Sequence, residues 1–330
     1  MRIERDIIYI ILAFIVLMVV VPWTAGQLSD QIFFNWPFFF EVAIGGLLSG
    51  VMYSLIALGF VLIFKASGVF NFSQGAIVLF AALTLVGLHG LGLPMWLAIV
   101  ATMGVMFLLA VSIERLVLSK LVNQEPIILF MATIGIAYFL DGFGQTLWGS
   151  EVKVLSLGIS EAPGFYFDGQ ILINDFDLFA AGIAAVMVVG LSIFFQYTRI
   201  GRALRAVADD HQAALSVGIP LKHIWIIVWT VAGLVGLVAG MMWGSKMGVQ
   251  FALSLIALKA LPVLILGGFT SVPGAIIGGL IIGAGEKLAE VFLAPMIGGG
   301  IEEWFAYMLA LLFLVFRPQG LFGEKIIERV

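Results

Sequence analysis

The chain has 330 residues, of which 62% are hydrophobic and only 11% charged, against about 25% charged in an ordinary globular protein. Its mean hydropathy is +1.16, more apolar surface than a soluble fold of this size can hide, so lipid is the solvent for most of it. A formal charge of −4, no cysteine and three scattered histidines exclude a nucleic-acid binder, a disulfide-stapled secreted domain, thiolate chemistry and a histidine metal site, and leave little room for a soluble enzyme.

In chain order, stretches of about 20 apolar residues, the length that crosses a bilayer as a helix, fall at 7–25, 41–64, 72–91, 95–113, 127–148, 178–197 and 224–244, with a shorter one at 305–316. The first lies behind Arg2 and Arg5 like a signal peptide but lacks a small-x-small cleavage site, and is read as a retained first helix. The apolar run 259–285 is broken by Gly267-Gly268, Ser271, Pro273 and Gly274. Lys and Arg gather in cytoplasmic loops. Reading the broken run as a re-entrant pair leaves Lys153, Lys246, Lys259 and Lys287 outside and the other basic residues inside. The expectation is an all-α polytopic membrane protein with eight crossings, a re-entrant broken-helix pair and both termini cytoplasmic, the whole of 1–330 forming a single transmembrane domain. The outer loop 149–177 carries Asp168-Gly169 between two β-prone runs, which predicts a small external β-hairpin.

Two segments echo one another. Gly68-Val69-Phe70-Asn71-Phe72-Ser73-Gln74-Gly75-Ala76-Ile77 aligns with Gly267-Gly268-Phe269-Thr270-Ser271-Val272-Pro273-Gly274-Ala275-Ile276. Breaks at matching places in two halves point to the solute site of a transporter, because freed backbone groups are tolerable only beside protein or a watery cavity. Asn71, Ser73, Gln74 and Gly75, with Thr270 and Ser271, are therefore candidate path residues, although Asn71 and Ser73 can also serve as caps of the following helix. Asp141, the clearest ionisable residue within a span, joins them, with Gln145 one turn away. Pairing with a lysine such as Lys259 is its structural alternative.

The cytoplasmic loop 198–220 reads as two short helices, one basic and one led by acids. It contains Gly201-Arg202-Ala203-Leu204-Arg205-Ala206 and Asp209, then Gln212-Ala213-Ala214 followed by Gly218. Gln212-Ala213-Ala214-x-x-x-Gly218 resembles the Glu-Ala-Ala-x-x-x-Gly motif of ABC importer permeases, with Gln212 in place of the acid. The basic half, together with Gly50–Gly75 and the block from Leu266 to Gly279, resembles the branched-chain amino acid ABC importer permeases over about 42–320. Gln74 and Ala76 stand where many relatives carry His and an acid.

The resemblance implies a permease subunit without catalytic residues, cofactor or metal of its own, in a bacterial inner membrane. It also implies a second permease chain, a hetero-dimer before a homo-dimer, two cytoplasmic ATPase subunits that bind ATP and magnesium, and an external binding protein. Arg202, Arg205, Asp209, Gln212, Ala213, Ala214 and Gly218 are then the ATPase-coupling residues. The chain itself has no Gly-Lys dipeptide and so no Walker-type phosphate loop. A self-sufficient channel or secondary carrier is the alternative. A coupled carrier would show several intramembrane charges, and by this reading Asp141 stands nearly alone.

Overall fold

A computed structural model describes residues 2–28, 34–121, 124–159, 162–167, 169–209 and 211–323. Asp168, Lys325 and Arg329 lie outside the described residues, as do the side chains of Arg2, Arg5, Asp209, Gln212 and Ala213. The helices are α1 (Arg2–Leu28), α2 (Trp36–Ser67), α3 (Gln74–Gly90), α4 (Met95–Leu116), α5 (Pro126–Trp148), α6 (Asp175–Tyr197), α7 (Arg199–Asp209), α8 (His211–Ser216), α9 (Leu221–Met247), α10 (Ala252–Gly267), α11 (Val272–Ile297) and α12 (Ile301–Phe316). Strands β1 (Pro163–Tyr166) and β2 (Ile171–Asn174) lie between α5 and α6.

Among the described residues five helices are long and apolar enough to span a bilayer: α2, α4, α5, α6 and α9. The pair α10–α11, bent by 115°, makes a sixth if it is counted as one span. The other expected crossings are shorter: α1 contributes the apolar stretch Phe14–Gln27, α3 has 17 residues and α12 has 16. At 1.5 Å per residue, α3 and α12 each rise roughly 25 Å, short of a ~30 Å hydrocarbon core. For α3 the cause is local, because residues 68–73 before it are not helical.

Helix boundaries follow from side chains that satisfy free backbone groups. Asn35 accepts the Phe38 N–H at 2.7 Å to start α2, and Gly68 ends it in the left-handed region at φ 68°. Asn174 caps α6 through the Phe176 N–H, and Ser271 caps α11 through the Gly274 N–H.

Burial places α2 and α9 at the centre. Their apolar windows are 78% and 61% buried, against 28% for α4, α5 and α6, which present most of their surface outward. The strongest packing is α2 along α11, and it rests on small residues. A Cβ added at Gly50 would collide with the Gly279 carbonyl, one at Gly46 with the Gly283 carbonyl, and one at Gly283 with the Gly46 carbonyl and the Gly50 backbone. Gly46-x-x-x-Gly50 therefore meets Gly279-x-x-x-Gly283 backbone to backbone, the close approach small residues allow between helices in lipid.

Both breaks fall where the sequence echo places them. The second, however, lies between two longer helices than the run 259–285 suggested, and its turn reaches one end of the bundle. There Lys65 Nζ donates to the Thr270 carbonyl at 3.4 Å, and the Leu321 and Phe322 N–H groups donate to the carbonyls of Leu266 and Gly267. At the opposite end Lys153 and Val249 form an antiparallel bridge and Lys246 pairs with Asp177 at 2.6 Å. The pair is thus a broken-helix pair bent by 115° at this turn, as the glycine and proline marks predict.

The hairpin forms as an antiparallel pair with Phe165 opposite Leu172 and Tyr166 opposite Ile171. Glu41 accepts the Leu172 N–H at 3.0 Å. The Tyr166 hydroxyl donates to Asp175 at 2.7 Å, a bond to a carboxylate that raises the phenol's pKa. The hairpin is thereby fastened to the ends of α2 and α6.

Candidate functional site

The first break is polar and wholly interior. Asn71, Ser73 and Gln74 are all 0% exposed. Asn71 Oδ1 accepts the Ser73 N–H at 3.0 Å and the Ser73 hydroxyl at 2.6 Å, a local turn of the kind Asn favours. Ser73 occupies the N-cap position of α3 without a capping side-chain bond. The Phe72 N–H donates to Thr133 Oγ1 on α5 at 3.0 Å. Gln74 turns the other way, its Nε2 donating to the Ala232 carbonyl of α9 at 3.3 Å. Gly59 makes room for that amide, since a Cβ there would stand 2.5 Å from Gln74 Nε2. Asn71 Nδ2 and Gln74 Oε1 are buried without a partner.

Beside this break a cavity of about 160 Å³ opens between α2, α3, α5 and α10. Its wall includes Phe60, Phe70, Phe72, Gly75, Asp141 and Ser254. Of the residues singled out from sequence, it brings together Gly75 and Asp141. Gln145 is half-buried one turn beyond Asp141 and does not line it. Thr270 and Ser271 lie elsewhere, in a cavity of about 290 Å³ that also holds Lys65, Gln196 and Arg205. The candidate residues thus fall at two places, one at the start of α3 and one at the turn before α11.

Two readings of the charges need correction. Lys259 does not approach Asp141: its Nζ lies 3.1 Å from Glu286 and 3.4 Å from Glu302, and Lys287 meets Glu302 at 2.8 Å. Tyr53 OH donates to Glu286 at 3.3 Å. Asp141 is also not nearly alone, because Glu286 and Glu114 are each 1% exposed within helices. Closing the apolar run at 259 and 285 set Lys259 at its edge and Glu286 just past it, which hid a pair that tertiary packing completes. The break itself was the available signal, for a lysine and a glutamate flank it.

The surface helices α7 and α8 are built onto the end of α6. Gly201 lies so close to the Phe195 carbonyl that a Cβ would clash. Arg205 donates to the carbonyls of Phe195 and, at 3.2 Å, Gln196, and Arg202 to that of Tyr197 at 3.2 Å. Both arginines therefore satisfy the last carbonyls of α6, where cations also complement the helix dipole. Leu204, Val207 and Ala214 are buried, while Leu215 and Val217 are exposed, Val217 by 75%. Gly218, at φ 83°, ends α8 with its N–H on the Leu215 carbonyl. Leu215 and Val217, an apolar tip beside that turn, went unremarked in the sequence because their exposure depends on how α8 is seated. Among the described residues no cluster of His, Cys, Asp and Glu could hold a metal ion.

Broken helices in the interior of a polytopic helical membrane protein are a feature of membrane transport components. Residues 42–317 match the model of the permease component of the branched-chain amino acid transport system, and the chain belongs to that family. It is 28% identical over 319 residues to the high-affinity branched-chain amino acid transport system permease protein LivH of Salmonella typhimurium, covering 89% of this chain and 98% of LivH. It is 29% identical to BraD of Pseudomonas aeruginosa, a protein of the same description, over 88% and 98% of the two chains. The fructose import permease protein FruG of Bifidobacterium longum is also similar, at 26% identity over 76% of this chain and 74% of FruG. The chain is accordingly an ABC importer permease of the LivH and BraD family, a transport subunit without a catalytic role.

Proposed function

We propose that the whole chain acts as one transmembrane permease unit that carries branched-chain amino acids or a related small solute inward across a bacterial inner membrane. Two cytoplasmic ATPase subunits bind ATP and magnesium, a second and different permease chain completes the path, and an external binding protein delivers the solute. One observation carries this reading: a family match across 42–317 in a chain whose α7–α8 pair stands on the end of α6 with an exposed apolar tip.

The path residues in this reading are those of the α3 break and its cavity, Asn71, Ser73, Gln74, Gly75 and Asp141, with Gln145 outward of them. Thr270 and Ser271 lie toward the exit. Arg202 and Arg205 hold α7 in place so that the α7–α8 pair, with Asp209, Gln212, Ala213, Ala214 and the following Gly218, seats in a groove of the ATPase. Movement of the ATPases then reaches the path through a two-state arrangement of helices. The excess of basic residues puts both termini and α7–α8 in the cytoplasm, and the hairpin outside.

Gentle purification of the tagged chain from its own cells, with mass spectrometry of what accompanies it, tests the assembly. The expected result is two ATPase subunits and one further membrane chain, with leucine uptake that depends on ATP. Recovery of this chain alone as an oligomer that moves solute in liposomes without ATP would overturn it in favour of a channel or secondary carrier.

A further inference from the structure

The cavity beside α3 holds one formal charge and nothing to balance it. Asp141 lines its wall, and among the lining residues there is no Lys, Arg or His. Asp141 Oδ1 is buried with no hydrogen-bond partner. The lysine in the neighbouring part of the chain is turned away. Ser254, Ala257, Leu258 and Leu261 are the face of α10 that lines the cavity, whereas Lys259 leaves the opposite side of that helix for Glu286 and Glu302. A carboxylate at this depth is costly unless paired or set in a watery path.

The rest of the wall is aromatic and aliphatic. Phe60 and Phe70 stack at 5.0 Å, and Phe72 stands edge-on to Phe70 at 6.2 Å. Rings of this kind accept a cation on their free faces and an aliphatic group packed against them. The volume, about 160 Å³, far exceeds the 10–15 Å³ that a single water needs. Tyr138, 77% exposed, and Leu255, 48% exposed, form its rim, so the cavity opens on the outer face of α5 and α10.

From this we infer that Asp141 is the counter-ion for the ammonium group of the transported solute, with the apolar body of that solute lying against Phe60, Phe70 and Phe72. The inference rests on the transport reading above and deepens it: the cavity selects small solutes that pair a primary ammonium with an aliphatic chain, and discriminates against sugars and simple carboxylic acids. The α5–α10 face is then the wall of the path and not a lipid-facing surface.

The chain has no cysteine, so Ser254→Cys creates a single reporter thiol in the cavity. In membranes holding the whole complex, 3-methylbutylamine and leucine should slow maleimide labelling of that thiol, while fructose and 4-methylpentanoate should not. Adding Asp141→Asn should remove the protection, and in an otherwise native chain Asp141→Asn should lower leucine uptake by roughly tenfold or more, with partial recovery in Asp141→Glu. Equal protection by fructose, protection that survives Asp141→Asn, or a thiol that never reacts would each overturn the assignment. Full leucine uptake in Asp141→Asn, still dependent on ATP, would refute the counter-ion and leave the importer reading standing. Uptake independent of ATP in the unaltered chain would instead refute that reading.

Discussion

The rings of Phe70 and Phe269 meet edge to face, with centroids 6.3 Å apart. Each follows the glycine that opens one of two similar segments, so the two breaks in the helical bundle touch at equivalent residues. Around them the packing is crossed: α2, which leads into the first break, lies along α11, which leaves the second, and α10 lies against α3. Phe269 also contacts Phe64 at 5.4 Å.

An edge-to-face pair is worth about 0.5–1.5 kcal/mol beyond its buried area. Phe70→Ala and Phe269→Ala should therefore destabilise non-additively, with a coupling of that size in a double-mutant cycle read from thermal unfolding in detergent. Independent effects would mean that the breaks do not support one another.

The glycine contact between α2 and α11 makes a sharper claim. Gly50→Ala places a methyl on the Gly279 carbonyl and should cost about 1–3 kcal/mol, Gly50→Leu more, seen as lost folded yield. Gly45→Ala, whose Cβ meets nothing within 4 Å, should behave as the unaltered chain.

Lys259→Met would leave Glu286, whose side chain is 2% exposed, with its nearest cation gone. The expected cost is about 3–5 kcal/mol, largely regained when Glu286→Leu is added, because removing both charges ends the desolvation penalty. Thermal unfolding of the single and double variants decides it.

Gly218→Pro demands φ near −65° where the chain has 83°, and Arg205→Glu sets a carboxylate against the carbonyl end of α6. Both should reduce ATP-driven uptake by roughly tenfold while the complex still hydrolyses ATP and the membrane helices stay folded. Unchanged uptake would separate the α7–α8 pair from coupling.

What could be read in advance follows the range of the interactions. Apolar runs located the long helices, Asp168-Gly169 announced the hairpin, and glycine and proline marked both breaks, because these signals are local. The small-residue spacings of Gly46 and Gly50 and of Gly279 and Gly283 were also visible, but not that they face each other. Lys259 could be noticed, yet its choice of Glu286 over Asp141 is set by which face of α10 turns toward α11. Gln74 was legible as an interior polar group, but not that the Gly59 notch admits its amide toward α9. The orientation of α8 decides that Leu215 and Val217 are exposed, and no periodicity in six residues reports that.

The seam between α2 and α11 has one more property. Where Gly46, Gly50, Gly279 and Gly283 oppose one another backbone meets backbone, and beside them the Ser54 hydroxyl donates to the Ile276 carbonyl at 3.3 Å and Tyr53 to Glu286, so α2 and α11 are held to move as one body. Thr270, held by Lys65, lies toward one end of that seam, and the Glu286–Lys259 pair, held by Tyr53, toward the other. A push on one end of this pair is thus carried to the other by a single stiff member instead of being lost between two helices.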